Sequence, residues 1–209
     1  MHYKFPRIEH INDVLPAIEG RDEFIVADRG PFKIINYMVN LPDTFPPIKV
    51  SGGSAKMREE RELINAIRRE CRGIIFDSAS GKILRRPFSK FFNLFEKDET
   101  QLDNLDFNLP HKVYTKLDGS FIVPYERGLG SGDICFGTKM GASAVSLQVE
   151  KFVKNEPKYL EFSRWCIAND ISPIFEWTSR KQKIVIDYPE DNLTLLAARH
   201  MISGEYINI

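Results

Sequence analysis

The residues whose types and spacing best suit chemistry lie in Tyr114-Thr115-Lys116-Leu117-Asp118-Gly119-Ser120. A lysine that ends an apolar strand, followed by an acid and a glycine turn, puts one amine at a sheet edge. The groups around such an amine decide whether it acts as a nucleophile or stays a protonated surface charge. Three other features invite a chemical reading and carry less. Gly128-Leu129-Gly130-Ser131-Gly132 has the composition of a phosphate loop. Such a loop runs from a strand into a helix N-terminus, whereas strand-like sequence flanks this one on both sides, so a flexible hairpin turn is expected. Arg85-Arg86 and Lys181-Gln182-Lys183 could meet phosphate, yet isolated basic pairs on strands are usually solvated. Cys71, Cys135 and Cys166 form no C-x-x-C pattern, and with His2, His10, His111 and His200 they offer no zinc-ligand spacing. Reduced, mostly buried thiols are expected.

Positioning Lys116 requires strands, and the hydrophobic pattern supplies them. Glu23 to Ala27 and Phe32 to Tyr37 alternate around the turn Asp28-Arg29-Gly30-Pro31, a first hairpin. Pro42, Pro46 and Pro47 with Ser51-Gly52-Gly53-Ser54 read as a loop. Met57, Leu63, Ile64 and Ile67 then recur at helical spacing and predict a helix from about Ala55 to Arg69. Arg72 to Asp77 and Lys82 to Phe88, around Ser78-Ala79-Ser80-Gly81, predict a second hairpin. Further strands are expected at His111 to Lys116, Ser120 to Tyr125, Ile134 to Lys139, Pro173 to Trp177, Lys183 to Tyr188 and Leu193 to Ala198. Two helices split near Pro157 fill the stretch from Ala144 to Asn169. Runs of strands with segregated helices indicate an α+β fold with antiparallel sheets.

The 209 residues carry 29 basic and 29 acidic side chains and are 43% apolar, the arithmetic of one globular domain. No apolar run approaches the roughly 20 residues that a membrane-spanning helix needs, and the first residues lack a signal-peptide pattern, so no membrane partner and a cytoplasmic location are expected. Zero net charge excludes a uniformly basic nucleic-acid binder but can hide a local basic stripe.

Taken alone, Lys116 is an exposed hairpin lysine, Arg72 a salt-bridge partner and Glu176 a solvated strand residue. Four further segments change that reading by accompanying Lys116 in fixed order. They are Glu70-Cys71-Arg72-Gly73-Ile74-Ile75-Phe76-Asp77, Arg86-Pro87-Phe88-Ser89-Lys90-Phe91-Phe92-Asn93-Leu94, Phe136-Gly137-Thr138-Lys139-Met140-Gly141, and Ile174-Phe175-Glu176-Trp177 continuing to Gln182-Lys183-Ile184-Val185-Ile186-Asp187-Tyr188. Together the five segments resemble the ATP-dependent RNA ligase 1 family of tailed phages. The resemblance runs from about Glu23 to the end and takes in Ile34-Ile35-Asn36-Tyr37 and Ser203-Gly204-Glu205-Tyr206-Ile207.

The resemblance implies a covalent nucleotidyltransferase fold of the ATP-grasp-like ligase type, with residues 1–209 as a single adenylation domain. It implies three steps: a lysine attacks the ATP α-phosphorus, AMP passes to an RNA 5′-phosphate, and a 3′-hydroxyl displaces AMP. Magnesium on the phosphates, RNA ends as partners, and repair of RNA such as broken tRNA belong to the same implication, in the cytoplasm of an infected bacterium if the chain is phage-encoded. Lys116 is the implied nucleophile. An ordinary lysine, with a pKa of about 10.4, is neutral in only on the order of one molecule in a thousand near pH 7.4. Arg72, Lys90 and Lys139, with the metal, would favour the neutral amine and stabilise the anionic phosphoryl group together. The matching motifs imply phosphate contacts at Arg72 and Lys90, a more distant phosphate cation at Lys139 and a nucleotide contact at Tyr37. Glu176 matches the family's essential carboxylate, used on a ribose hydroxyl or on a cation. Asp118 and Gly119 would shape the turn of the ATP site. Phe92 would stack on adenine or belong, with Phe88, Phe91, Leu94 and Phe95, to a core run, the simpler reading.

Ligases and capping enzymes of this superfamily also carry a later Glu-Gly-aliphatic motif and a Lys-x-Lys motif that hold metal and triphosphate, and then a C-terminal helical domain. Glu19-Gly20 lies too early and Lys181-Gln182-Lys183 lies within the preceding motif, so neither substitutes. The expectation is a fold incomplete at its C-terminal side: a piece of a longer ligase, a short form completed by a second polypeptide, or a chain without catalysis. Self-adenylation should then be slow, and Tyr206-Ile207-Asn208-Ile209 should form an open sheet edge. Two rival functions share these residues, a noncatalytic module binding RNA ends or nucleotides and a capping-type guanylyltransferase using GTP.

Overall fold

The computed structural model describes residues 4–181 and 183–208, arranged around two antiparallel sheets that share an apolar layer. The first sheet runs in chain order through β1 (Phe24–Asp28), β2 (Phe32–Tyr37), β3 (Arg72–Asp77) and β4 (Ile83–Arg85). The second joins β5 (Ser120–Glu126), β6 (Ile134–Gly137), β7 (Ile171–Thr178), β8 (Asn192–His200) and β9 (Tyr206–Ile207) in the order β6-β5-β7-β8-β9.

Side-chain alternation explains why β2 and β3 read as nearly continuous apolar runs. Ile35, Ile74 and Phe76 point into a core with Phe45 and Ile67, beneath the short helix α1 (Leu15–Ile18) and the long helix α2 (Ala55–Glu70). Their neighbours Ile34 and Ile75 face the opposite way and meet Leu84, Tyr125 and Cys135 between the sheets. Both faces of β2 and β3 are therefore covered, while β1 leaves Ile25 and Val26 exposed at the edge. Helices α3 (Ala144–Asn155) and α4 (Pro157–Ala168) cover the second sheet, where Val149 and Val153 pack on Ile122, Phe175 and Trp177. Ser54 caps α2 by accepting the Met57 amide, which is why the helix starts at the predicted residue. The three cysteines are free and buried, as expected. Among the described residues no helix is long and apolar enough to cross a membrane.

Two expected strands are absent. Residues 111–117 and 183–188 follow irregular paths, with Val113 89% exposed and both Tyr114 and Val185 75% exposed. Neither segment has a ladder partner, so the apolar pattern there marks exposed chain rather than a buried face. Gln182 and Ile209, at the ends of two expected motifs, lie outside the described residues.

The expectation that Arg85-Arg86 is solvated is also overturned, because both side chains are fully buried. Arg86 Nε donates to Glu70 Oε2 at 3.0 Å, and Arg199 reaches the two oxygens of the same carboxylate at 2.9 and 3.1 Å. Burial pushes the Glu70 carboxyl up, and Arg199 and Arg86 outweigh it and hold the group below its usual value. Arg86 also donates to the carbonyls of Pro6, Met201 and Ile202. This satisfied cluster ties α2, the exit of β4 and β8 together; removing one member would leave a buried charge uncompensated.

Candidate active site

Antiparallel pairing brings the end of β2 beside the start of β3, so Asn36 faces Arg72 and Tyr37 follows at the rim. The Arg72 guanidinium lies 4.7 Å from the Phe91 ring centroid and 5.5 Å from that of Phe121. Its Nη1 is buried and has no hydrogen-bond partner. The next residue must be glycine: a Cβ on Gly73 would sit 2.4 Å from the Lys139 carbonyl oxygen, in a backbone at φ +87°. That close approach lets the loop after β6 fold over β3 and deliver Lys139.

Arg85 fixes the same junction from beneath. Its Nε and Nη2 donate to the Gly73 carbonyl at 2.9 and 2.7 Å, while Nη1 reaches the Thr138 carbonyl at 3.1 Å and Nη2 the Lys139 carbonyl at 3.3 Å. Burial draws the Arg85 pKa down to about 10. One guanidinium thus holds the backbones that carry Arg72 and Lys139.

The Lys139 Nζ stands 3.6 Å from the Tyr37 ring centroid. Burial, then the charges of Arg72 and Lys90, lower its pKa to about 8. Lys90 Nζ lies 4.2 Å from the Phe92 ring, donates to the Phe91 carbonyl at 2.7 Å and faces Glu96 at 3.5 Å. Burial lowers the Lys90 pKa as well, against the pull of Glu96. Phe92 is half-buried against the Phe45 core, with Arg69 and Lys97 also over its ring. The rest of its run divides: Phe91, Leu94 and Phe95 are exposed, so the core reading holds for Phe92 and fails for them.

Across the second sheet, Phe121 on β5 pairs with Glu176 on β7, and the turn entering β5 lies over that pair. Glu176 Oε1 accepts the Gly119 amide at 3.1 Å. A Cβ on Gly119 would come 2.2 Å from the Trp177 carbonyl oxygen, so glycine is what allows this approach. Burial pushes the Glu176 carboxyl up, with the Gly119 amide and Lys116 opposing. Asp118 accepts the Val185 and Ile186 amides at 2.6 and 2.7 Å, and the Tyr188 hydroxyl accepts the Asp118 amide at 2.9 Å. The Ile186 and Val185 amides hold the Asp118 carboxyl below its usual value. Segment 183–188 is pinned by a side chain rather than by a ladder. Lys116 is exposed on irregular chain and not at a strand end, and its charge acts on both Asp118 and Glu176.

The structure therefore gathers Arg72, Lys90, Lys139 and Tyr37 in one cationic corner, linked electrostatically through Arg72 to Glu176 beside Gly119, Asp118 and Lys116. The glycine tract 128–132 connects β5 to β6, and its Gly130 and Gly132 amides donate to the Glu126 carboxylate at 2.8 and 3.0 Å. The Leu129 amide donates to Asp77 of β3 at 3.2 Å, so these donors are engaged within the protein, in keeping with the hairpin reading. Among the described residues no group of three or more His, Cys, Asp or Glu side chains could hold a metal. Sequence reasoning assigned no role to Arg85 or to the Glu70, Arg86 and Arg199 cluster. Glu70 and Arg86 stand inside two of the five segments, and that position was the available signal.

The profile of a family described as RNA ligase matches residues 70–209, the stretch that bears Arg72, Lys90, Lys116, Lys139 and Glu176. The chain belongs to the phage RNA ligase 1 family. It is 29% identical over 198 residues to a protein of Thermovibrio ammonificans provisionally called an RNA ligase, covering 94% of this chain and 46% of that one. Against RNA ligase 1 of bacteriophage TS2126 the identity is 29% over 152 residues, 66% of this chain and 36% of the other. Against the RNA ligase of Rhodothermus phage RM378 it is 30% over 166 residues, 62% and 36%. This RNA ligase family member spans less than half the length of these curated relatives. Tyr37 lies before the profile match, and what the structure adds to the resemblance there is its ring beside Lys139.

Proposed function

We propose that residues 1–209 form the nucleotidyltransferase (adenylation) domain of an ATP-dependent RNA ligase that joins 5′-phosphate and 3′-hydroxyl RNA ends. The observation that carries this reading is the buried, unpartnered Arg72 Nη1 within the Arg72, Lys90 and Lys139 cluster. A desolvated donor without an acceptor is costly unless an anion completes it, and a nucleotide triphosphate supplies that anion.

Lys116 Nζ forms a bond to the α-phosphorus, the bond to the bridging oxygen breaks, and pyrophosphate departs with its electron pair. The amine proton passes to solvent, which the exposed position of Lys116 allows. Arg72, Lys90 and Lys139 neutralise charge on the phosphates as it develops. Tyr37 orients Lys139, and Glu176 holds the Gly119 turn that presents Lys116. The residues present fit a magnesium ion that arrives on the phosphates, since such an ion takes few protein ligands and Glu176 is the carboxylate at hand. When bound it would supply Lewis-acid stabilisation of phosphate charge. Under this reading the cytoplasmic role is repair of broken RNA, tRNA included.

The test is incubation with magnesium and ATP or GTP labelled at the α-phosphate, followed by denaturing electrophoresis of wild type and Lys116→Ala. Label from ATP alone, absent in the variant, is expected. Label from GTP alone would favour the capping reaction, and nucleotide binding without covalent label would favour a noncatalytic module.

A further inference from the structure

Helix α2 carries a second basic surface that the candidate active site does not use. Arg58, Arg61, Asn65 and Arg68 recur at three- and four-residue spacing and form one stripe along the helix. Arg61, Asn65 and Arg68 line one wall of a groove of about 530 Å³ whose other wall is the loop from Pro46 to Ser51, with Lys49 at its lip.

Arg58 donates to the Gly53 carbonyl at 2.7 Å, which leaves Arg61 as the uncompensated charge of the stripe. Arg61 is exposed and makes no hydrogen bond or ion pair among the described residues. Arg68 gives its Nε to the Ala17 carbonyl at 2.7 Å, and burial, then the neighbouring Arg21, lowers its pKa. Glu23 and Asp43 act on Arg68 in the opposite sense, and Glu62, the carboxylate next to Arg61, is occupied by Lys49 at 2.9 Å.

The groove abuts the site. Buried Arg69, paired with Glu99 at 2.7 and 2.9 Å, donates to the Pro46 carbonyl at 3.3 Å on the groove side and places its guanidinium 5.1 Å from the Phe92 ring, at the corner that holds Lys90. The stripe from Arg58 to Arg68 spans about 15 Å, room for two or three successive phosphates rather than one. Its lining contains no aromatic ring, so it offers charge without a stacking platform for bases.

We propose that this groove is a track for the phosphate backbone of single-stranded RNA leading into the adenylation site, an inference that rests on the RNA ligase reading above. Recognition through phosphates makes binding independent of base sequence and steeply dependent on salt.

The test measures binding of two unrelated short 5′-phosphorylated RNA strands to the 209-residue chain across a salt series. In wild type the logarithm of affinity falls with the logarithm of salt by about 0.7 for each phosphate neutralised. Arg61→Glu should weaken both RNAs alike, by roughly threefold or more, and flatten the slope by about one contact. Glu62→Gln releases Lys49 and should tighten binding, a gain that damage to the fold would not produce. Unchanged affinity and slope in Arg61→Glu would overturn the track, as would a wild-type chain that binds neither RNA. Covalent AMP labelling in the same preparations separates the two readings. Label without RNA binding removes the track alone, and Arg61-dependent binding without label keeps the track and removes the adenylation step.

Discussion

The Lys139 ammonium stands 3.6 Å from the centroid of the Tyr37 ring, at a point where burial, Arg72 and Lys90 lower its pKa to about 8. Below that pH it is a cation available to phosphate, and above it the charge is lost. The unfolded chain, with a lysine near 10.4, holds the proton over a wider range, so in the absence of ligand this group favours unfolding below about pH 8. That penalty fades as pH rises from about 8 toward 10.4. A bound triphosphate reverses the balance by favouring the charged form. The increase in melting temperature caused by ATP is therefore expected to be larger at pH 7 than at pH 9.5, and Lys139→Met should flatten the dependence. Thermal denaturation with and without ATP across that range checks it.

Arg72 should behave as a ligand-binding group whose removal costs the fold little. Its Nη1 has no partner to lose, and its ring contacts with Phe91 and Phe121 are worth about 0.5–1 kcal/mol each at a partly exposed site. A charge-assisted bond to phosphate is worth about 1.5–3 kcal/mol, so Arg72→Ala is expected to weaken ATP binding by roughly tenfold to a hundredfold. Arg72→Lys should rescue only part of this, because an ammonium cannot reproduce a planar group between two rings. Calorimetric titration with ATP, beside a melting curve for each variant, measures both effects.

Arg85 should show the opposite balance. Arg85→Met leaves the Gly73 and Thr138 carbonyls without their donor in a buried setting, at about 1–3 kcal/mol for each unsatisfied group. A loss of roughly 2–5 kcal/mol in chemical denaturation is expected. Nucleotide labelling should fall too, since Arg72 and Lys139 lose the guanidinium that sets their spacing.

Asp118 should control segment 183–188 more than it controls chemistry. In Asp118→Ala the Val185 and Ile186 amides lose their acceptor, and their hydrogen exchange should quicken at least several-fold while amides of β7 and β8 hold their rates. The native carboxyl lies below its usual value, so its clamp is intact above the unfolded-state pKa of about 3.9 and is lost as pH falls through the native value. Exchange measured by mass spectrometry at neutral pH tests the clamp; equal rates in both proteins would contradict it.

How much of this could be read from the sequence differs by element. The first two hairpins, α2 and the α3 and α4 pair follow from periodicity and turn chemistry, because their apolar faces are buried in the expected sense. Residues 111–116 and 183–188 carry strand-like patterns without a ladder, and segment 183–188 is held to Asp118 through one carboxylate and one tyrosine hydroxyl, which no periodicity encodes. Arg85 and Arg86 look like surface residues until the carbonyls and the Glu70 carboxylate that satisfy them are brought in from distant strands. The candidate site was legible as an ordered set of motifs. The resemblance also implied that Arg72, Lys90 and Lys139 act together, but the Gly73 approach and the Arg85 clamp that set Lys139 beside Arg72 were not legible, because they join backbone distant in sequence.

The central claim is that Lys116 is the nucleophile, although burial, Arg72 and Lys90 lower the pKa of the Lys139 amine to about 8. Incubating the wild-type chain with ATP and magnesium and mapping the adenylate by peptide mass spectrometry tests that claim directly. AMP linked through a phosphoramidate to the peptide containing Lys116, and missing from Lys116→Ala, is the predicted result. AMP on Lys139 or Lys90 in the wild-type chain would contradict it.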